Sequence, residues 1–193
     1  MWAASLREIK KLIRPLFTQE RVATNAGLFL EGLLGDEQRK TGWMRAEAAG
    51  DPGPWRQQAI LGRSDWDADA LRDIVRDYVI EHLADDDAVL VIDETGFLKQ
   101  GKASCGVARQ YTGSAGKITN CQIGVSLSVA TRTEHLPVDF ELYLPASWTD
   151  DPKRRREAKI PDGVVFKTKI DLALEMIERA VHDEVPGDIL LAD

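Results

Sequence analysis

One stretch restricts the fold of this chain more than any other: Ala88-Val-Leu-Val-Ile-Asp93-Glu94-Thr95-Gly96-Phe97. Apolar residues, mostly branched, run directly into an acidic pair and then a glycine. An uninterrupted run of this kind reads as a strand buried on both faces. It puts Asp93 at the strand's C-terminal end, where open α/β sheets gather their chemistry. A carboxylate beside so much apolar surface is costly unless it is paired, hydrogen-bonded or holding a cation. The plainer alternative is an Asp that caps the following turn.

A chain of 193 residues makes one large domain or two small ones. It is 44% hydrophobic and 30% charged, as soluble globular proteins are, and no apolar run approaches the ~18 residues of a membrane span. The charged start, with Arg7, Lys10 and Lys11, is not a secretory leader, which points to the cytoplasm. Cys105 and Cys121 lack metal or redox spacing and read as reduced packing residues. A net charge of −7 excludes coating of nucleic acid by bulk charge but leaves room for a local basic groove.

Residues 1–85 read as helical. Ser5 and Glu8 resemble a capping box, and Pro15 bends or ends the helix that follows. A second helix carries Val22, Ala26, Phe29 and Leu33 and stops at Gly35. Short helices follow near Trp43 and from Trp55, with Pro54 at the first position of the latter. Leu71, Ile74, Val75, Tyr78 and Val79 then recur at helical spacing. This pattern fits a helix-turn-helix-like DNA-binding region and, equally, a plain helical subdomain. Trp43, Trp55 and Trp66 read as core residues rather than platforms for stacking bases.

From Ala88 the period becomes that of strands. Strands follow at about Cys105 to Tyr111 and from Ile123 to Ala130, forming with the first an antiparallel meander. Val138, Phe140, Leu142 and Leu144 alternate with Asp139, Glu141 and Tyr143 in a further strand. Trp148 to Phe166 shows no period. Thr168 and Asp171 form a capping box before a helix with a buried stripe of Leu172, Ala173, Met176, Ile177, Ala180 and Val181. Pro186-Gly187 breaks it, and a last apolar strand ends in Asp193.

The order is strand with Asp, two strands, an extra strand, helix, strand with Asp. This is the arrangement of a ribonuclease H-like core, in which the first strand and the strand after the helix lie parallel and adjacent. The fold class is thus α+β, with a helical bundle over 1–85 and a ribonuclease H-like core over 86–193. Asp93 and Asp193 then meet and can hold Mg²⁺, which prefers hard oxygen ligands.

The sequence also resembles a family, the DDE transposases of bacterial insertion sequences of the insertion sequence 701 type. The resemblance is carried by Gly32-Leu-Leu-Gly35-Asp36, Gly42-Trp43, Ala46-Glu47, Trp66-Asp67, Val91-Ile-Asp93-Glu94-Thr95-Gly96-Phe97-Leu98-Lys99, Gly106-Val-Ala-Arg109-Gln110-Tyr111-Thr112-Gly113, Asn120-Cys-Gln122-Ile-Gly124 and Glu141-Leu-Tyr143-Leu-Pro145-Ala-Ser147-Trp148. It implies that Asp93 and Asp193 are catalytic, metal-binding acids for Mg²⁺ or Mn²⁺. It implies cleavage and strand transfer on double-stranded DNA at element ends, gripped in part by the helical region, in a nucleoid-associated cytoplasmic protein. The family's third acid, a Glu downstream of the second Asp, is absent, so the chain reads as an incomplete core, the N-terminal part of a transposase, and is expected to be inactive alone. Glu94 points to the opposite strand face and is a poor substitute.

Lys99, Lys102, Arg109, Lys117, Arg154 and Arg155 are the candidates for DNA phosphates. A Walker B reading of the central strand fails, because no phosphate-cradling loop precedes it and no nucleotide cofactor is expected. The alternative function is a non-catalytic DNA-binding or oligomerising module that competes with an intact transposase. An incomplete sheet is expected to expose apolar surface and to favour homo-oligomers.

Overall fold

The computed structural model describes residues 2–192. They form two compact units, one ending at Ile74 and the other beginning at Val75. Helices α1 (Trp2–Ile13), α2 (Glu20–Leu34), α3 (Gly42–Ala48) and α4 (Trp55–Gly62) belong to the first unit, and the division falls inside α5 (Ala68–His82). Ser5 lies within α1 instead of capping it, because the helix starts three residues earlier at Trp2. Pro15 acts as its ring dictates: α1 stops at Ile13 and a single 3-10 turn, Arg14–Leu16, follows. Pro54 caps α4, one position ahead of the expected one. Thr41 caps α3, its hydroxyl accepting the Met44 N–H at 3.2 Å.

The first unit is built around Ile13, Phe17, Ala26 and Ile60, with Trp66, Leu71 and Ile74 against them. Trp66 is a core residue, as its sequence suggests; its indole N–H donates to the Ile60 carbonyl at 3.0 Å. Trp43 and Trp55 are not. They are 63% and 64% exposed, with rings 6.5 Å apart. Each sits in the first turn of a short helix whose inner face is already filled, by Arg45 and Ala46 in α3 and by Gln57 and Ile60 in α4.

The second unit is a mixed α/β layer. Strands β1 (Val89–Leu98), β2 (Ala108–Thr112), β3 (Lys117–Ala130), β4 (His135–Tyr143) and β5 (Ile189–Ala192) form one mixed sheet in the order β2-β3-β1-β5, with β4 also on β3. β3 is long enough to serve three partners. Its Cys121–Ala130 segment pairs antiparallel with β1, and the other edge takes β2 and then β4. The expected meander is therefore corrected: β1 does not pair with β2. β5 runs parallel to β1, from Val89 opposite Ile189 to Ile92 opposite Ala192.

Helix α8 (Lys169–His182) covers one face of the sheet and carries the expected capping box, Thr168 with Asp171. Leu172, Met176 and Ala180 pack on Leu90, Val125, Leu127 and Val129. Val181 leaves the predicted stripe and is 72% exposed. β4 also departs from its expected phase. Val138 is the extra residue of a bulge opposite Leu127 and Ser128, so Val138 and Asp139 are both buried. Beyond the bulge the polar residues face α8, where Arg179 bonds Asp139 at 2.8 Å and Glu141 at 3.4 Å, while Phe140 is 49% exposed on the far side. The aperiodic basic stretch contains two short helices, α6 (Ala146–Thr149) and α7 (Pro152–Ala158). No helix among the described residues is long and apolar enough to cross a membrane.

Candidate functional site

Asp93 lies in the middle of a strand, not at its end. β1 continues to Leu98 because Glu94–Leu98 keep their pairing with Cys121–Val125 of β3. The last described pair of the parallel ladder with β5 is Ile92 with Ala192, one residue before Asp93. The apolar run before it is also less enclosed than its composition implies: Leu90 is buried, while Val91 and Ile92 are half-buried.

Asp93 is exposed, opposite Ser126 on β3, and it also lines the cleft between the sheet and α8. Its Oδ1 accepts the Glu94 N–H at 2.7 Å, and the Ser126 hydroxyl donates to the Asp93 carbonyl at 3.4 Å. Oδ2 has no partner among the described residues, and no lysine or arginine neutralises the group. An exposed carboxylate with a free oxygen suits a hard divalent cation. Asp193 lies outside the described residues. Among those described, no three His, Cys, Asp or Glu gather as a metal site.

Glu94 points to the α8 face and forms an ion pair with Lys169, the first residue of α8. Lys169 was not visible from the sequence as a site residue. The capping box marks where α8 begins but not what its first residue meets. The pair stands at the mouth of a cleft of about 440 Å³ whose apolar wall includes Ile170, Leu174 and Leu190.

The basic candidates are gathered elsewhere. β1 rises about 3.3 Å per residue, so Lys99 follows Asp93 by roughly 20 Å. Lys99 and Arg109 flank Asn120: the Lys99 N–H donates to its carbonyl, and Arg109 is its register partner on β2. The Asn120 side chain ties the loop by donating to the Lys99 and Gly101 carbonyls at 2.7 and 2.8 Å. Lys102 is exposed in the same loop, and Lys117 is exposed at the start of β3. Arg154 stacks 3.7 Å from the Trp148 ring centre and donates to the Ser147 and Lys102 carbonyls. Arg155 turns inward, donating to the carbonyls of Thr149, Pro161, Asp162 and Val164. It holds the 161–164 turn against α7. Cys105, beside this region, has its thiol pushed up by burial, partly offset by the Arg154 charge.

A mixed sheet with a parallel β1–β5 pair is consistent with a ribonuclease H-like fold. The sequence matches the family described as DDE superfamily endonuclease over residues 13–193, and the chain belongs to that family. It is similar to the "Probable transposase for insertion sequence element IS701" of Microchaete diplosiphon, at 28% identity over 162 residues. That match covers 84% of this chain and 40% of the relative, so the chain spans well under half of the relative's length. No solved structure matches it.

Proposed function

We propose that the chain is the DNA-holding and metal-holding part of an insertion-sequence transposase, built on a ribonuclease H-like core over 86–193 with a helical DNA-binding region over 1–85. The observation that carries this reading is the parallel register of β1 and β5. Ile92 faces Ala192, and each is one residue before an acid, Asp93 or Asp193. Asp93 and Asp193 are the residues that would hold Mg²⁺ or Mn²⁺. Divalent metal in such a site supplies an activated water and stabilises the departing oxygen of a phosphodiester. The chain's own part is to present an unneutralised carboxylate on a rigid strand. Lys99, Lys102, Arg109, Lys117 and Arg154 would meet phosphates around the β1–β2 loop. Arg155 would support that surface from inside.

Two carboxylates make a weak site, and no third acid joins Asp93 among the described residues. We therefore expect these residues by themselves to bind double-stranded DNA at element ends and not to cut it. The test is nicking of such DNA in Mg²⁺ or Mn²⁺, with Asp93→Ala as control and DNA binding followed in parallel. Binding without nicking supports the proposal. Nicking that disappears in Asp93→Ala would show that another acid completes the site. Absence of both binding and nicking would contradict the DNA-holding role. Binding in which divalent metal has no influence, even on Asp93, would favour a purely non-catalytic module.

A further inference from the structure

Arg45, on α3, is 7% exposed and forms no ion pair among the described residues. Its Nε is sealed from solvent without a hydrogen-bond partner, and neither Nη is bonded among the described residues. Every other buried or half-buried arginine described is engaged: Arg14 on Glu20, Arg72 on Asp69, Arg76 on Asp183, Arg179 on Asp139, and Arg154 and Arg155 on carbonyls. A desolvated, unpaired cation is costly, and burial pulls the guanidinium below its ordinary value.

The fold nevertheless holds this cation in place. Its guanidinium carbon lies 4.1 Å from the Phe29 ring centre on α2. Its stem lies on the α2 backbone at Gly32, where a Cβ would come within 3.0 Å of Arg45 Cγ and Cδ. Lys40, at the same end of α2, places its ammonium on the Gly35 carbonyl and 4.0 Å from Glu37, whose buried Oε2 makes no hydrogen bond, so this pair adds no net charge. A cation–π contact fixes the plane of the guanidinium but supplies no counter-charge. The Nη edge is not sealed and bonds no described residue, so its donors are open to a ligand.

We propose that Arg45 is a phosphate-binding residue, its Nη edge offered to a phosphate group at the last turn of α2. A planar guanidinium fork matches phosphate oxygens in pairs. The source is either the backbone of DNA, which rests on the function proposed above, or free phosphate, which does not.

The test uses the whole chain and Arg45→Met, which keeps the stem against Phe29 and removes the charge. Inorganic phosphate, at ionic strength matched with chloride, raises the melting temperature of the native chain and not of Arg45→Met. In phosphate-free buffer Arg45→Met melts no lower than the native chain, since it loses an uncompensated charge. With a duplex oligonucleotide, Arg45→Met binds about ten-fold more weakly. Its slope of log affinity against log salt also falls by about one. Phosphate protection with unchanged duplex affinity and slope assigns the site to free phosphate. A native chain that fails to bind duplex defeats the DNA reading, while phosphate protection still decides Arg45. The proposal is overturned if phosphate protects both proteins equally or neither and the duplex slope is unchanged, or if Arg45→Met melts well below the native chain without phosphate.

Discussion

Gly96 and Gly124 both stand where a side chain would collide, yet their substitutions should differ in cost. A Cβ on Gly96 overlaps Thr112, which is 3% exposed and held on β2. A Cβ on Gly124 overlaps the Phe140 ring, which is 49% exposed and free to turn outward. Overpacking a rigid site costs about 1–3 kcal/mol, so Gly96→Ala should sit at the upper end and Gly124→Ala below about 1 kcal/mol, as read by urea denaturation. The same scale carries a pH effect. The Thr168 hydroxyl and amide bond the Asp171 carboxylate and hold it below its ordinary value. A depressed carboxylate adds stability that is complete above its unfolded value, about 4, and is lost as pH falls through its folded value. Thr168→Ala should therefore lower the melting temperature at neutral pH, and the difference should shrink on acidification below about 4. Thr168 with Asp171 was legible in the sequence because a capping box is local. Arg45 was not, because its isolation depends on what other helices leave around it.

At the scale of elements, local chemistry and tertiary context divide the outcome. α7 is short and aperiodic, but its start is written in Asp151-Pro152: the Asp151 carboxylate accepts the Lys153 and Arg154 N–H groups at 2.9 and 3.1 Å, and Pro152 occupies the first turn. Asp151→Ala should cost about 1 kcal/mol and speed hydrogen exchange over 161–164, whose turn hangs on Arg155 from the same helix. Unchanged exchange there would mean that the turn is held by something else. The phase of β4 could not be read the same way. Alternation grouped Val138 with Phe140, but the bulge buries Val138 together with Asp139 and leaves Phe140 on the far side, and Arg179 sits forty residues beyond Asp139. Arg179→Met should destabilise by about 2 kcal/mol, because Asp139 is buried and loses a charged donor. β1 passing beyond Asp93 has a similar cause. Its continuation is set by the length of β3, which no residue of β1 announces.

For the molecule as a whole, the sheet carries unprotected apolar surface. All four residues of β5 are exposed, with Ile189, Leu190 and Leu191 between 43% and 59%, and Ile170, Leu174 and Val181 of α8 are exposed as well. Apolar strand edges and patches of this kind favour association. Sedimentation of the isolated chain should show oligomers whose population rises with concentration, and a monodisperse monomer throughout would refute this. The parallel β1–β5 pair was legible because each strand announces itself as an apolar run reaching an acid, whereas the order β2-β3-β1 was not, because short links suggested a meander and the length of β3 decided otherwise. The central claim is that Asp93 is a metal-holding carboxylate, and paramagnetic resonance of Mn²⁺ titrated with the whole chain tests it most directly. The account predicts weak binding that is lost in Asp93→Asn with the fold intact by circular dichroism. Equal Mn²⁺ binding by the native chain and Asp93→Asn would contradict it.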